Sequence, residues 1–558
     1  MTLRPIALLL LLVASPTPAI AADEAVDLGG VEEQHVMIPM RDGVKLSAYL
    51  YFPPGEGTWP VLYEQRYANL RDPNTRKGFA KLAQSGYVVA AENFRGTHLS
   101  EGTWVGYRAL GWGQSQDGFD TVEWLASQPW STGRVGTFGS SQAGFAQNFL
   151  AVASPPHLTC QYMIDTGLSL FHEGYRIGGA TKPERFKTMA AVCRNPDDNR
   201  KLMEDWFAHP TYDNYWADED CTRFFGRMDV PCFTIGSWYD YMCTGSVQSF
   251  VGRQHHGGPR GRGRQQLLLG PWLHGRFKET NRAGELEYPV NAKFATETHM
   301  LRWFDHYLKD IDNGVEGEPT VRYYVMGAVG EPDAPGNEWR TAEVWPIRTE
   351  PTAYYLYSGG KLVQTPSAVA DASPEARTSW LSDPMHPMSI PGAAFPGAAD
   401  ARPFEAQPEV RTFTSEPLAE PVEWTGLVRA ELFVSSSAPD ADYIVRVSDV
   451  YPDGRSILII DMIRRARYRE GYDQEVMMTP GKVYPLSIEV GWLSQVFNRG
   501  HRIRVTLASS GAPFYEPNPN TGRPLTIEPP AESIVSHNAV HHDQVHASRI
   551  LAPVPHEQ

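Results

Sequence analysis

The chain lacks the features that mark several protein classes. No run of eighteen or more apolar residues occurs along its 558 positions, so a membrane-spanning helix is not expected. Cysteine is scarce: Cys160, Cys193, Cys221, Cys232 and Cys243 are the only five, and none stands in a C-x-x-C pair, which argues against a cysteine-based zinc site. Their odd number leaves at least one thiol outside any intramolecular disulfide. Basic residues are the minority, 50 Lys and Arg against 65 Asp and Glu, for a formal net charge of −15. That balance argues against nucleic acid or an anionic membrane surface as a partner. One Gly-rich basic stretch, Gly257 to Arg264, is short and isolated and reads as a solvated loop. There is no internal repeat and no low-complexity block.

What is present is globular: 42% hydrophobic, 11% aromatic and 21% charged residues, over a length that calls for two or three domains. The N-terminus carries Arg4, an apolar run from Ile6 to Ala14, and Ala19-Ile20-Ala21. This is the pattern of a secretory signal peptide over residues 1–21, with cleavage before Ala22 or Asp23. The expectation is export, to a periplasm or beyond, with no membrane attachment after cleavage.

Residues 22–154 alternate strand and helix patterns: strands over 35–40, 44–52, 60–67 and 87–91, and helices over 76–85 and 118–128. Such alternation predicts a parallel sheet. The alternation fails over 155–227, where helix-period, aromatic and charged segments suggest a helical cap inserted above the sheet edge. It returns over 228–348, with strands at Val230–Gly236 and Gln265–Gly270 and an amphipathic helix at Ala292–Lys309. From Thr349 to the end, short β runs separated by Pro, Gly and Asp turns predict a β-sandwich or jelly roll. An Ala- and Pro-rich stretch over 368–407 reads as a long connection. The fold class is therefore α/β, with a C-terminal all-β domain.

The chemistry concentrates at Gly133–Ser154. An apolar strand (Val135 to Phe138) meets a small-residue turn, Gly139-Ser140-Ser141-Gln142-Ala143-Gly144, and then a helix. A serine on such a turn is a nucleophile elbow: the turn lifts the hydroxyl clear of the sheet and aims the next N–H, that of Gln142, at an incoming acyl oxygen. Gly113-Gln-Ser-Gln-Asp-Gly118 has similar spacing, but no apolar strand precedes Ser115, so it reads as a loop feeding a helix. Two further strand ends carry Asp240 and His274. The order Ser141, Asp240, His274 is that of an α/β-hydrolase triad. His274 would take the serine proton and return it to the leaving group, while Asp240 would hold the imidazole tautomer. Taken singly, Asp240 could cap the next helix, and His274 is one of 17 histidines. His255-His256 and His541-His542 lack flanking ligands, so neither a metal nor an organic cofactor is expected.

Several blocks together resemble the CocE/NonD-type hydrolases, the group of cocaine esterase, glutaryl-cephalosporin acylase, α-amino acid ester hydrolase and X-prolyl dipeptidyl-peptidase. They are Arg41-Asp-Gly-Val-Lys-Leu46, Gly118 to Ala126 with Gln128-Pro-Trp130, Gly136 to Gly144, Gly236-Ser-Trp-Tyr-Asp240 and Leu269-Gly-Pro-Trp-Leu-His274, followed by Phe413 to Val422 and Asn498 to Val505. The resemblance implies an α/β-hydrolase domain, a helical cap and a jelly roll that packs on the hydrolase and shapes the pocket mouth. It also implies an oxyanion hole made by a tyrosine hydroxyl and the N–H after the nucleophile, here Tyr67 and Gln142. The proline that often precedes that tyrosine is Arg66 in this chain. Members selective for α-amino acyl groups carry carboxylates just after the triad aspartate. Tyr241, Met242 and Cys243 stand there instead, which suggests an apolar, aromatic acyl pocket walled by Tyr241, Met242 and Phe171.

The function expected is an exported serine hydrolase of small-molecule esters, with amides included, acting through an acyl-serine; self-association into a homo-oligomer is compatible. The alternatives are an X-Pro dipeptidyl-peptidase or a cephalosporin acylase and, more distantly, a glycan-binding protein with an idle hydrolase.

Overall fold

A computed structural model describes residues 26–275, 278–364, 376–390, 397–527 and 532–556. The expected signal peptide and part of the 368–407 connection lie outside them.

The N-terminal domain is built on β1 (Glu32–Pro39), β2 (Lys45–Phe52), β3 (Trp59–Arg66), β4 (Val88–Asn93), β5 (Ser131–Ser140) and β6 (Leu158–Ile164). A two-residue hairpin, β7 (Arg176–Ile177) and β8 (Ala180–Thr181), stands apart in the cap. The sheet resumes with β9 (Cys232–Ser237) and β10 (Gln265–Gly270). A second small hairpin, β11 (Arg282–Ala283) and β12 (Leu286–Glu287), precedes β13 (Val321–Val325) and β14 (Glu338–Ala342). The ten long strands pair in the order β1-β2-β4-β3-β5-β6-β9-β10-β13-β14. From β4 to β13 the pairs are parallel, and only β1, β2 and β14 run against their neighbours. β4, β9 and β10 are buried at every residue, as expected for parallel strands covered by helices on both faces.

The helices are α1 (Pro73–Ala83), α2 (Asp117–Ala126) and α3 (Gln142–Ala153) among the first strands, and α7 (Cys243–His256) and α8 (Thr296–Lys309) among the last. Asp72 caps α1 by accepting from the N–H groups of Asn74 and Thr75, with Pro73 at the first helical position. α8 turns Met300, Trp303, Phe304 and Leu308 onto the sheet, into one core with Phe138, Tyr162 and Phe233. The Arg41-Asp42-Gly43 block has a mechanical role. Arg95 pairs with Asp42 (2.6 Å) and with fully buried Asp117 (2.7 Å), and Arg41 pairs with Asp120 (2.7 Å), which ties the first hairpin to α2. Ser115 lies in the loop feeding α2, with Oγ 3.4 Å from Asp42. In the basic stretch, Arg260 pairs with Asp229 and Arg264 with Glu316.

One expected boundary needs correction. The sequence pattern places 155–227 in the cap, but Leu158–Ile164 is a sheet strand, paired in parallel with both β5 and β9. Leu158, Cys160 and Tyr162 alternate with Thr159 and Gln161, a short strand pattern that the helix-period, aromatic and charged segments after it outweigh. The helices between β6 and β9 are α4 (Pro183–Val192), α5 (Pro196–Ala208) and α6 (Asn214–Ala217). They share an aromatic core with the elbow helix: Trp206, Trp216 and Tyr175 cluster with Tyr107, Phe145 and Phe149.

The C-terminal domain is all β, an eleven-stranded sheet running from Thr349–Tyr357 to Arg549–Pro555. Its hydrophobic core is continuous with the hydrolase: Trp238, Tyr324 and Met326 pack in one cluster with Trp424, Val428 and Leu493. The Met326 N–H donates to Ser494 O (2.9 Å) and the Val496 N–H to Met326 O (2.8 Å). His501 is buried between Asp449 (2.8 Å) and Glu331 (3.0 Å), joining the Asn498–Val505 block to the loop after β13. The cap is pinned as well: the Arg465 N–H donates to Gly178 O (2.8 Å) and the Tyr468 hydroxyl to Pro210 O (2.8 Å).

Candidate active site

β5 ends at Ser140, and Ser141 adopts φ +58° and ψ −117° before α3 begins. A positive φ on a non-glycine residue is strained, and here neighbours on both sides hold it. The Ser141 N–H reaches Ile164 O (3.0 Å) and Asp165 O (3.2 Å) at the end of β6, and the Ser141 carbonyl accepts from the Phe145 N–H (3.0 Å). Gly139 has φ +144°, and a Cβ there would stand 2.5 Å from the Ala143 Cβ. The small residues flanking the serine are thus required by the tightness of the turn.

Asp240 and His274 come together. β9 ends at Ser237, and the Asp240 N–H donates back to Ser237 O (3.0 Å). The loops after β9 and β10 are tied by the Trp238 N–H to Gly270 O (2.9 Å) and the Tyr239 N–H to Trp272 O (3.2 Å). In this frame His274 Nδ1 lies 2.6 Å from Asp240 Oδ2, while Asp240 Oδ1 accepts from the Met242 N–H (2.9 Å). Burial opposes the charge on Asp240, yet the imidazole beside it holds its carboxyl below the usual carboxylate range. Burial likewise opposes a charged His274, and the Asp240 carboxylate outweighs it, so the imidazole sits above its ordinary value. His274 keeps 16% of its side-chain surface exposed, whereas the Asp240 side chain has none.

A third acid beside the pair was not anticipated. Asp165, at the end of β6 with φ +48°, is fully buried. Its Oδ1 accepts from Ser237 Oγ (2.8 Å), and its Oδ2 accepts from the Gly275 N–H (3.0 Å) and Lys278 Nζ (2.6 Å). Lys278 also donates to Ser237 Oγ (2.7 Å) and Leu273 O (3.1 Å). Asp165, Asp240 and His274 bring their polar atoms within 4.8 Å of one another, and the Lys278 ammonium supplies the positive charge beside that cluster. The Asp165–Gly275 bond anchors the backbone immediately after His274. Asp165 follows the strand that sequence patterning assigned to the cap, so it did not stand out as a strand-end acid.

Tyr67 and Gln142, the expected oxyanion donors, are linked. Gln142 Oε1 accepts from the N–H groups of Tyr67 and Ala68, both at 3.0 Å. His98 Nε2 donates to Tyr67 O (2.9 Å), and Asn93 Nδ2 donates to Arg66 O (3.2 Å) and Ala68 O (2.9 Å). These bonds hold the backbone where a proline would otherwise stiffen it, and Arg66 itself pairs with Glu64 (2.7 Å). The Tyr67 ring is packed edge-on by Phe94, Trp104 and Tyr107. The Tyr107 hydroxyl donates to Gln142 O at 3.4 Å.

Of the residues expected to wall the acyl pocket, Tyr241 is half-buried, whereas Met242 has essentially no exposed surface and lies in the cluster that holds Tyr67, Tyr107 and Phe145. Phe171 is not a wall residue. It has no exposed surface and is enclosed by the rings of His172, Tyr212, Trp216 and Tyr472, as the core of the cap. Nor is the wall purely apolar: Lys182 Nζ stands 3.5 Å from the centre of the Tyr241 ring, and Arg185 Nη1 is 3.4 Å from its hydroxyl. All five cysteines are unpaired thiols.

The model of the X-Pro dipeptidyl-peptidase (S15 family) matches residues 42–197 and 187–276, and that of the X-Pro dipeptidyl-peptidase C-terminal non-catalytic domain matches 313–551. Cocaine esterase from Rhodococcus sp. (strain MB1 Bresler) is 29% identical over 582 aligned residues, covering 93% of this chain and 98% of that protein. The solved structure of a CocE/NonD family hydrolase from Staphylococcus aureus superposes with a TM-score of 0.71 at 18% identity, over 94% of both chains. This chain belongs to the CocE/NonD-type α/β-hydrolases. An α-amino acid ester hydrolase shares the fold at a TM-score of 0.80 and 23% identity, over 97% of this chain and all of that one. With relatives named as esterases and S15 peptidases, the chain is a serine hydrolase.

Proposed function

We propose that this CocE/NonD-type hydrolase cleaves carboxylic esters, and activated amides, through an acyl-enzyme on Ser141. The observation that carries the reading is the 2.6 Å contact between His274 and buried Asp240, at the ends of two strands in the sheet whose strand β5 ends in the strained serine. Ser141 Oγ attacks the ester carbonyl carbon as His274 Nε2 takes its proton. Asp240 holds Nδ1 protonated and stabilises the imidazolium. The oxyanion is met by the Gln142 N–H and the Tyr67 hydroxyl, each donor being worth roughly 3 kcal/mol in the transition state. His274 then gives its proton to the departing alcohol, and water repeats the sequence to release the acid.

The test is fluorophosphonate labelling of the mature protein with peptide mapping, alongside turnover of short-chain nitrophenyl esters. A stoichiometric adduct on Ser141, with labelling and turnover abolished in Ser141→Ala, is the expected result. Turnover that survives in Ser141→Ala would overturn the assignment. The S15 match favours one second reading, release of X-Pro dipeptides, and an X-Pro-anilide substrate in the same assay separates it from esterase activity. Export rests on the leader pattern alone, and we propose cleavage before Ala22 or Asp23; N-terminal sequencing of the secreted protein checks it.

A further inference from the structure

Arg185, on α4 of the cap and partly exposed, lies against the elbow helix α3 and the loop after Asp240. Its guanidinium is 3.4 Å from the Tyr241 hydroxyl, 5.7 Å from the centre of the Tyr175 ring and 5.8 Å from that of Phe145. Its charge also acts on Tyr107, whose hydroxyl bonds the first residue of α3, and the phenol of Tyr67 acts on it in turn. The cation therefore stands among four phenols, two of them beside the nucleophile turn and one next to Asp240.

Phenols do not balance a guanidinium near neutral pH, since their ordinary pKa is about 10. Among the described residues Arg185 forms no ion pair, and its buried Nε has no hydrogen-bond partner. The nearby acids face other groups. Asp240 holds His274 and the Met242 N–H, Glu173 accepts from the N–H groups of Leu168 and Ser169, and Asp461 lies toward Arg446 (4.0 Å) and Lys182. Lys182 Nζ, 3.5 Å from the Tyr241 ring centre and 3.8 Å from that of Phe514, stands on the same wall, where burial and the Arg185 charge push its ammonium well below its ordinary value, which leaves Arg185 as the lasting cation. An arginine stays charged even when desolvated, and a planar fork of donors without an acid is matched by a carboxylate.

We infer that Arg185 is a specificity-determining residue that binds a carboxylate on the acyl part of the substrate, so that the preferred substrates are half-esters of dicarboxylic acids. This rests on the esterase reading and narrows it. Ammonium-bearing acyl groups, and the free N-terminus of an X-Pro peptide, would meet like charge at this wall and be disfavoured.

The experiment uses the mature chain with monoethyl succinate, glutarate, adipate and suberate. Each is paired with the ethyl ester of a monocarboxylic acid of equal chain length, and the acid released is measured by chromatography. The wild type is expected to favour the half-ester by about tenfold or more in kcat/KM for at least one length. Arg185→Gln is expected to lose that ratio, Arg185→Lys to keep part of it, and Arg185→Glu to reverse it. The ratio does not depend on the fraction of folded enzyme, and a reversal cannot come from misfolding. A wild type that labels at Ser141 and hydrolyses esters but favours the neutral partner at every length overturns this inference and leaves the esterase reading standing. An unchanged ratio in Arg185→Gln does the same. Failure both to label and to turn over any ester overturns the two together.

Discussion

Gln142 and Tyr67 are joined by the Gln142 side-chain oxygen, which accepts from the Tyr67 backbone N–H at 3.0 Å. The two expected oxyanion donors sit at the ends of different strands, and this one amide sets their spacing. Gln142→Met removes the acceptor while keeping the backbone N–H. Misplacing a positioned group by about 1 Å can cost up to about 100-fold. The expected outcome is a fall in kcat of about 10- to 100-fold with KM little changed, read from steady-state kinetics. An unaltered kcat would mean that His98 and Asn93 suffice to hold Tyr67.

The pH profile follows from the His274–Asp240 pair. His274 must be neutral to act as base, and its folded-state value lies above the ordinary value of about 6.5. The rate is therefore lost as pH falls through that raised value, and the acidic limb of kcat/KM should lie above pH 6.5. In Asp240→Asn the opposing effect of burial is left unbalanced, and the limb should move down. A limb that stays put in Asp240→Asn would assign it to another group.

Lys278 pairs with Asp165 behind the His274–Asp240 pair, with both side chains essentially without exposed surface. Lys278→Met leaves a buried carboxylate unpaired, which costs about 3–5 kcal/mol. Urea unfolding should show that loss, and the double variant Lys278→Met with Asp165→Asn should recover most of it. Where the single variant folds, its extra negative charge should raise the acidic limb of the pH profile further. Equal stability of single and double variants would show that the pair is not coupled.

Glu92 offers a separate test of stability. It is wholly buried, accepts from Tyr63, Gln65 and Thr121, and burial pushes its carboxyl up to about 8. The folded state thus holds this proton more tightly than the unfolded chain, so stability falls as pH rises from the carboxylate range through about 8. Glu92→Gln removes the titration. The difference in Tm, wild type minus Glu92→Gln, should decrease between pH 5 and pH 8 by an amount equivalent to a few kcal/mol. A flat difference would mean that the carboxylate is ionised without cost.

Much of the site is legible in the sequence because each part follows a local rule. The elbow needs an apolar strand and small residues on either side of the serine, all within a dozen positions. Asp240 and His274 each follow a short apolar strand. Asp165 does not stand out because the short alternation of β6, Leu158 to Tyr162, is outweighed by the helix-period segments that follow it. Phe171 was misplaced because an aromatic residue in a cap reads alike whether it lines a cavity or fills a core, and only the surrounding rings of Tyr212, Trp216 and Tyr472 distinguish the two.

The order of chemistry-bearing residues, the α/β and all-β halves and the strained serine turn are properties of the sequence by itself, since they depend on contacts between near neighbours and on strand and helix periods. The tertiary structure alone decided what lies between those elements. Lys278 against Asp165, Gln142 against Tyr67, and Arg185 among Tyr67, Tyr107, Tyr175 and Tyr241 all join residues from different helices and loops. The physical reason is that charge compensation in a buried site depends on distance in space, which no spacing along the chain encodes.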